Sequence, residues 1–355
     1  MSARFSIGIA LCFLAPLFSG GHPGAVAADT GVPGGVKGLI TGTVVSDVTS
    51  EPLENANVFI AQTFCGTSTG TNGSFVLTPG FQGSYDLVIS LVGYERKVIR
   101  LQLAGRDTVR LEVRLTERIL SEEPVQVLSS RPEEWERRLA AFLRVFIGPD
   151  ISAEDCTLLN PWVVNFRMSG DTLVASSDSL LRIDNRAFGY SIRGAIGIFR
   201  WDLKHDAGVW SIYPRFLLMP ATSPEQPKKW DENRRTEYLG SLRHFLRACI
   251  AGRWKEEGFT VTSPGWNRRE PVSEGMIGIN RWAGTSLFEW RYRGQIRGNY
   301  HSSRNPGYIQ LVAEHALIDT TGFLVTPFAM QLGGRWGEER VGSILPVEYT
   351  PRENP

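Results

Sequence analysis

At 355 residues, 42% hydrophobic and 10% aromatic, the chain is too long for one ordinary hydrophobic core, and its composition excludes wholesale disorder and fibrous structure. Its 38 basic and 37 acidic residues leave a formal charge of +1, which removes any electrostatic case for nucleic acid or an anionic membrane surface as a partner.

The first element is an apolar run, Phe5 to Phe18, preceded by Arg4 and followed by Ala25-Val26-Ala27. A basic start, a short apolar core and an A-x-A site predict a cleaved secretory signal peptide over residues 1–27. The run is shorter than the ~20 residues needed to span a bilayer and is broken by Pro16, which disfavours a membrane anchor. No later stretch is long and apolar enough to cross a membrane, so no transmembrane segment is expected after cleavage. Cys65, Cys156 and Cys249 remain, and an odd count leaves at least one thiol free or intermolecular. Cys156 and Cys249 could pair, but Cys249 falls on an apolar helix stripe where a buried free thiol is a common occupant.

Residues 28–38 are rich in Gly and Pro and read as a flexible lead-in. Strand-like runs then follow in quick succession over residues 39–117: Leu39 to Ser46, Ala56 to Gln62, Gly73 to Thr78, Tyr85 to Val92, Arg96 to Leu103 and Val109 to Leu115. In the last, Val109, Leu111, Val113 and Leu115 alternate with Arg110, Glu112 and Arg114, the period of a strand with one wet face. Glu51-Pro52, Asn72-Gly73 and Val92-Gly93 sit where tight reversals need a fixed or positive φ. Short strands at this spacing with no helix between them predict a β-sandwich or barrel.

The succession Thr41-Gly42-Thr43-Val44, Glu51-Pro52-Leu53-Glu54-Asn55-Ala56-Asn57-Val58, Thr71-Asn72-Gly73-Ser74-Phe75 and Leu91-Val92-Gly93-Tyr94-Glu95 resembles the carboxypeptidase-like regulatory domain. The resemblance implies a transthyretin-like (prealbumin-like) β-sandwich of about eighty residues. Such modules follow metallocarboxypeptidase catalytic domains and stand at the front of many TonB-dependent outer-membrane transporters, which implies an envelope setting and no catalytic residue. Two motifs inside it are decoys. Gly66-Thr67-Ser68-Thr69-Gly70 spells a nucleophile elbow but leads into a strand rather than a helix, so a Gly/Thr/Ser-rich loop or edge strand is the better reading. Asn72-Gly73-Ser74 matches a glycosylation sequon, but its Asn-Gly pair reads as a hairpin turn.

Composition changes after Glu117, and all ten tryptophans lie from Trp135 onward. Residues 118–131 read as a linker with a short strand at Pro124–Leu128, and Ser129-Ser130-Arg131-Pro132 as an N-cap and helix start. In residues 132–355, a helix carries Trp135, Leu139, Phe142, Leu143 and Phe146 on one side and stops at Gly148-Pro149. Leu180 to Ile183 and Tyr190 to Leu203 read as strands. From Lys228 to Trp254, Leu239, Leu242, Phe245, Leu246, Cys249 and Ile250 fall at helical spacing with Arg243 and Arg247 opposite, predicting one main amphipathic helix. The alternation in Phe288-Glu289-Trp290-Arg291-Tyr292-Arg293 predicts a strand with its aromatics on one face. The expected fold class is therefore mainly β / α+β: the N-terminal sandwich followed by an α+β domain with an antiparallel sheet and a few helices. Phe146-Ile147-Gly148, Cys156 to Pro161, Gly240 to Leu246, Glu339-Arg340-Val341 and Leu345 to Tyr349 resemble the C-terminal part of uncharacterised secreted proteins of Gram-negative bacteria. That likeness implies a periplasmic, outer-membrane or extracellular location, without a biochemical role.

Candidate chemistry is sparse. The histidines beyond the leader are His205, His244, His301 and His315, and none stands in H-E-x-x-H or in the H-x-x-E pair of a zinc carboxypeptidase, so neither a metal site nor a cofactor is expected. His315, Glu314, Asp319 and Asp184 are candidates for general base or ligand in catalysis. On a strand Glu314 and His315 would face opposite sides, which argues against a metal site there. His244, beside Arg243 on the polar edge of the helix stripe, reads as hydrogen-bonded or solvated. Trp282, Trp290 and Tyr292 with Arg291 and Arg293 are candidates for a platform that stacks sugar rings or aromatic peptide side chains. The competing and favoured reading is that the period-2 aromatics are the buried face of the sheet. Together these point to a non-enzymatic cell-envelope module that contacts protein or glycan. The alternatives are an envelope hydrolase with its site in the C-terminal domain, or an accessory to a TonB-dependent transporter.

Overall fold

A computed structural model describes residues 8–9, 38–80, 83–103, 107–118, 133–148, 155–264, 269–272, 277–282, 285–301, 303–326 and 328–351. The leader expected over 1–27, apart from residues 8–9, and the strand and helix start expected over 124–132 lie outside the described residues. The chain is mostly strands, with three α-helices among the described residues.

The sandwich comprises β1 (Leu39–Ser46), β2 (Asn57–Ile60), β3 (Gly66–Ser68), β4 (Ser74–Leu77), β5 (Gly83–Ser90), β6 (Lys97–Leu103) and β7 (Thr108–Leu115). One sheet runs β4-β1-β7, with β1 and β7 parallel, and the other runs β3-β2-β5-β6. Ile40, Val44, Val58, Phe75, Leu87, Ile89 and Val113 fill the space between them. β7 is buried at Val113 and Leu115 and wet at Arg110, Glu112 and Arg114, as its alternation predicts. The Gly66–Ser68 segment is an edge strand paired with β2, which disposes of the nucleophile-elbow pattern. Asn72-Gly73 differs from expectation: its turn joins β3 to β4, strands of different sheets, and is not a hairpin. Gly73 has φ +71° and a Cβ there would stand 2.5 Å from the Val44 carbonyl, so the site requires glycine.

Gly93 has φ +86° with open space around its Cβ position, so a side chain there meets backbone strain without steric clash. Gly93→Val should therefore lower the unfolding free energy of the full chain by about 1–3 kcal/mol, read as a shift of the urea midpoint at unchanged slope. An unshifted midpoint would remove the turn's role. The Tyr94 ring packs on the sandwich core and its hydroxyl lies 3.5 Å from Glu117.

The second core lies under a sheet of β8 (Cys156–Leu158), β9 (Val164–Ser169), β10 (Thr172–Ser177), β11 (Leu181–Asn185), β12 (Tyr190–Asp202) and β13 (Ala207–Leu218), to whose edge Gly8–Ile9 adds a short parallel pair. Helix α1 (Glu133–Phe146) covers it, with Glu133, Glu134 and Glu136 in its first turn complementing the helix dipole. Its buried stripe places Phe142 4.8 Å from Phe199 and Phe146 5.7 Å from Trp210, ring centre to ring centre.

The third core carries α2 (Gln226–Tyr238), α3 (Leu242–Ile250), a sheet of β14 (Phe259–Pro264), β15 (Arg269–Pro271), β18 (Gln295–Tyr300), β19 (Gly307–Leu311) and β21 (Met330–Gly334), and a small sheet of β16 (Ile279–Arg281), β17 (Phe288–Trp290) and β20 (Ala316–Ile318). The single helix expected from Lys228 to Trp254 is two helices. Gly240 breaks it at φ +80° and Ser241 restarts it as an N-cap whose hydroxyl accepts the His244 N–H. His244 is buried and hydrogen-bonded, its Nδ1 accepting the Gly240 N–H at 3.0 Å. Cys156 and Cys249 belong to different cores and are not joined by a disulfide, so the pairing left open by the sequence is not made. Burial pushes the Cys156 thiol up to about 12.

The sandwich does not stand apart. Phe59, Ala61 and Val88 on the outer face of its second sheet pack against Ala195 and Tyr213. This explains why β2 and β5 read as near-continuous apolar runs: both faces are covered. Phe64 inserts beside Tyr190 and Phe216, at 5.7 and 6.2 Å. Backbone bonds cross from Gln62 N–H to the Pro214 carbonyl at 2.6 Å and from Phe216 N–H to the Thr63 carbonyl at 2.9 Å. Arg96, at the end of the Gly93 turn, donates to the Ile196 carbonyl at 2.7 Å.

Candidate functional site

β17 is only three residues long, and its alternation turns Phe288 and Trp290 one way and Glu289 the other. Trp290 is 1% exposed and belongs to the third core, with its indole N–H donating to the Tyr292 carbonyl at 3.2 Å. Tyr292 is half-buried and packs on the same core. The alternating aromatics thus face the core, Trp290 fully and Tyr292 in part. The strand expected through Arg293 stops at Trp290.

Glu289 points the other way, into an open cleft of about 410 Å³ lined by Glu289, Arg291, Arg293, Glu314 and His315. Glu289 is 5% exposed and its carboxylate is held by the Arg291 guanidinium, which offsets the cost of burying the charge. His315 Nδ1 lies 3.8 Å from the other Glu289 oxygen, beyond hydrogen-bond reach but close enough for an ion pair when the imidazole is protonated. The Trp282 ring lies against His315, centres 5.2 Å apart and planes inclined by 35°. The exposed guanidinium of Arg293 and carboxylate of Glu314 have no hydrogen-bonded partner among the described residues.

The expectation that Glu314 and His315 face opposite sides of a strand is overturned. They lie in the bend between β19 and β20, where the strand period does not apply, and both line the cleft. Asp319 and Asp184 lie elsewhere. Asp319 is buried and ties its own turn, accepting the Thr321 and Phe323 N–H groups at 2.8 and 3.0 Å, and burial raises its pKa. Asp184 sits on β11, paired between Thr157 and Ser191 in the second core's sheet. The four catalytic candidates therefore divide: two converge and two do not. Sequence reasoning missed Glu289, although the alternation Phe288-Glu289-Trp290 marks it as facing away from the core. Among the described residues no group of three His, Cys, Asp or Glu side chains is placed to hold a metal ion.

Seven strands in two sheets, the parallel β1–β7 pair and the Gly93 reversal describe the first module, and residues 40–127 match one known family. They are a CarboxypepD_reg-like domain. No curated protein matches the chain. Among solved structures, a cohesin–X-dockerin complex from Acetivibrio cellulolyticus is 19% identical over 21% of this chain and 52% of that one, with a TM-score of 0.19. This chain thus spans about half the length of that relative. A pilus 2b backbone protein of group B streptococcus is 18% identical over 22% of this chain and 41% of that one, at a TM-score of 0.20. A DUF3823 family protein from Bacteroides ovatus is 10% identical over 80% of this chain and 99% of that one, at a TM-score of 0.19. The cleft lies outside the CarboxypepD_reg-like domain, whose contacts with the rest of the chain include Phe59, Gln62, Phe64, Arg96 and Arg100.

Proposed function

We propose that the chain is a non-enzymatic module of the Gram-negative cell envelope, exported by the leader over residues 1–27, that makes protein or glycan contacts. The CarboxypepD_reg-like domain serves as its frame, and the Arg291–Arg293–Glu314–His315 cleft takes a saccharide. The observation that carries this reading is the Trp282–His315 ring pair beside Arg293 and Glu314, both of which lack a hydrogen-bonded partner among the described residues. An aromatic face offers a sugar ring an apolar contact, and adjacent charged side chains hydrogen-bond its hydroxyl or carboxylate groups. Calorimetric titration of the mature chain with neutral and uronic-acid oligosaccharides is expected to find a saturable ligand. Arg293→Ala and Trp282→Ala should each weaken it about ten-fold or more while leaving thermal unfolding unchanged. The Glu289–His315 pair favours one second reading, a hydrolase using carboxylate and imidazole as acid and base. Turnover of an oligosaccharide or peptide that disappears in Glu289→Gln would replace the binding reading with that one. Absence of both binding and turnover would leave the cleft without this role.

A further inference from the structure

A second cavity, of about 90 Å³, lies where the CarboxypepD_reg-like domain meets the C-terminal part, and three of its polar groups, one amide and two carboxylates, are open to a ligand. Gln62 is 6% exposed, lines the cavity, and its amide nitrogen has no hydrogen-bond partner among the described residues. A buried amide without an acceptor is costly and rare in a folded protein. Its backbone is held in a conformation that side chains other than glycine seldom adopt, φ +68°, between the Gln62 N–H bond to the Pro214 carbonyl and the Val347 N–H bond to the Gln62 carbonyl. The junction thus spends backbone strain to place this side chain, and Gln62 also borders a smaller cavity of about 30 Å³ on the Asp319 side.

The other two groups are Glu237, at the end of α2, and Glu339. Glu339 Oε1 accepts the Leu242 N–H at 3.2 Å, and neither carboxylate makes an ion pair among the described residues. The nearby cations make their hydrogen bonds to carbonyls, Arg243 to those of Thr321, Pro346, Val347 and Tyr349 and Arg335 to those of Glu237 and Leu239, and they only partly offset the burial of the two carboxylates. Burial and the neighbouring Glu237 raise the Glu339 pKa to about 7, and burial raises that of Glu237. An added cation would relieve both. The rest of the wall is largely apolar, from Leu242, Phe323, Leu324, Ile344 and Leu345, and Tyr238, Ser241, Ser343 and the carbonyl-bound Arg243 complete it. On a measure in which one water needs about 10–15 Å³, the cavity of about 90 Å³ admits roughly six to nine heavy atoms.

We infer that this cavity binds the free amino terminus of a peptide whose first residue is apolar. The ammonium sits between Glu237 and Glu339, the first carbonyl accepts from the Gln62 amide, and the side chain lies against Leu242 and Ile344. An α-amino amide is the smallest unit that offers a cation, an acceptor one carbon away and an apolar body together. This site is independent of the saccharide cleft.

Leucinamide is the probe, titrated into the full mature chain by calorimetry or NMR at pH 7.5. Saturable binding is expected, with N-acetyl-leucinamide, which lacks the cation, and isopentylamine, which lacks the acceptor, each at least ten-fold weaker. Gln62→Leu should weaken leucinamide at least ten-fold and bring it level with isopentylamine, Glu339→Gln should weaken it at least ten-fold, and Trp282→Ala should leave it unchanged. No leucinamide binding to the unmutated chain, or equal binding of leucinamide and its acetylated form, overturns the inference without recourse to any variant. Unchanged binding in a folded Glu339→Gln chain does so as well.

Discussion

Replacing Arg243 with alanine should cost the full chain about 3 kcal/mol or more of unfolding free energy, the largest loss expected from any single charged residue here. On a helical wheel Arg243 falls opposite the apolar stripe and reads as a solvated side chain. In the fold its guanidinium donates to Thr321 at 3.1 Å, Pro346 at 2.7 Å, Val347 at 2.6 Å and Tyr349 at 2.7 Å. One rigid fork thereby ties α3 to the Thr321 turn and to the closing segment that also bonds Gln62. Burial lowers its pKa, but a guanidinium stays charged, so each bond is charge-assisted. Gly322 fits the arrangement: at φ +81°, a Cβ there would stand 2.6 Å from the Arg243 carbonyl. Arg243→Lys should recover less than half of the loss, because one ammonium cannot reach four carbonyls spread around a planar fork. Urea denaturation of the three proteins measures this, and a loss below about 0.5 kcal/mol for the alanine variant would show that water replaces the guanidinium freely.

Trp336→Ala should cost about 3–5 kcal/mol. The indole is 1% exposed, stacks on Phe245 with ring centres 4.7 Å apart, and donates to the Gly240 carbonyl at 3.0 Å. Its bed is a pair of glycines, Gly298 on β18 and Gly307 on β19, which face each other across the sheet. Cβ atoms there would stand 2.3 and 1.9 Å from ring atoms of Trp336, so neither position admits alanine unless the ring moves. Gly307→Ala is expected to cost about 1–3 kcal/mol by overpacking. The double variant Gly307→Ala, Trp336→Phe should lose less than the sum of its parts, since the smaller ring returns the space. Strict additivity in the urea midpoints would mean that the glycine and the indole do not share that space. This also accounts for Gly333-Gly334-Arg335-Trp336-Gly337, a glycine-rich run whose chemistry is packing.

The sandwich was legible because its signals are local. β1 and β7 read from alternation and the Gly73 and Gly93 turns from residue type, with strand ends off by no more than about two residues in most cases. The apolar stripe of α1 and the burial of Cys249 on that of α3 were legible on the same ground. Glu314 and His315 escape the strand period because they lie in a bend, and the α2–α3 break rests on two residues, Gly240 as a stop and Ser241 as a cap, inside an otherwise continuous helical period. Trp290 and Tyr292 show the limit of composition: an aromatic beside an arginine reads alike in a core and in a binding cleft until burial is known.

What the sequence by itself determined is therefore the part of the molecule governed by neighbours along the chain: the two-sheet module, its tight turns, the helical stripes and the absence of a metallopeptidase motif. Only the tertiary structure decided which side of the module is covered, that Arg243 is a tie rather than a solvated charge, and that Glu289, Arg293, Glu314 and His315 share one cleft. It alone brought Gln62 to Glu237 and Glu339, residues separated by some 175 to 277 positions. The physical reason is range. Backbone preference and side-chain periodicity act over a few residues, whereas burial, pKa and the partners of a polar group depend on segments that meet only after the cores have packed.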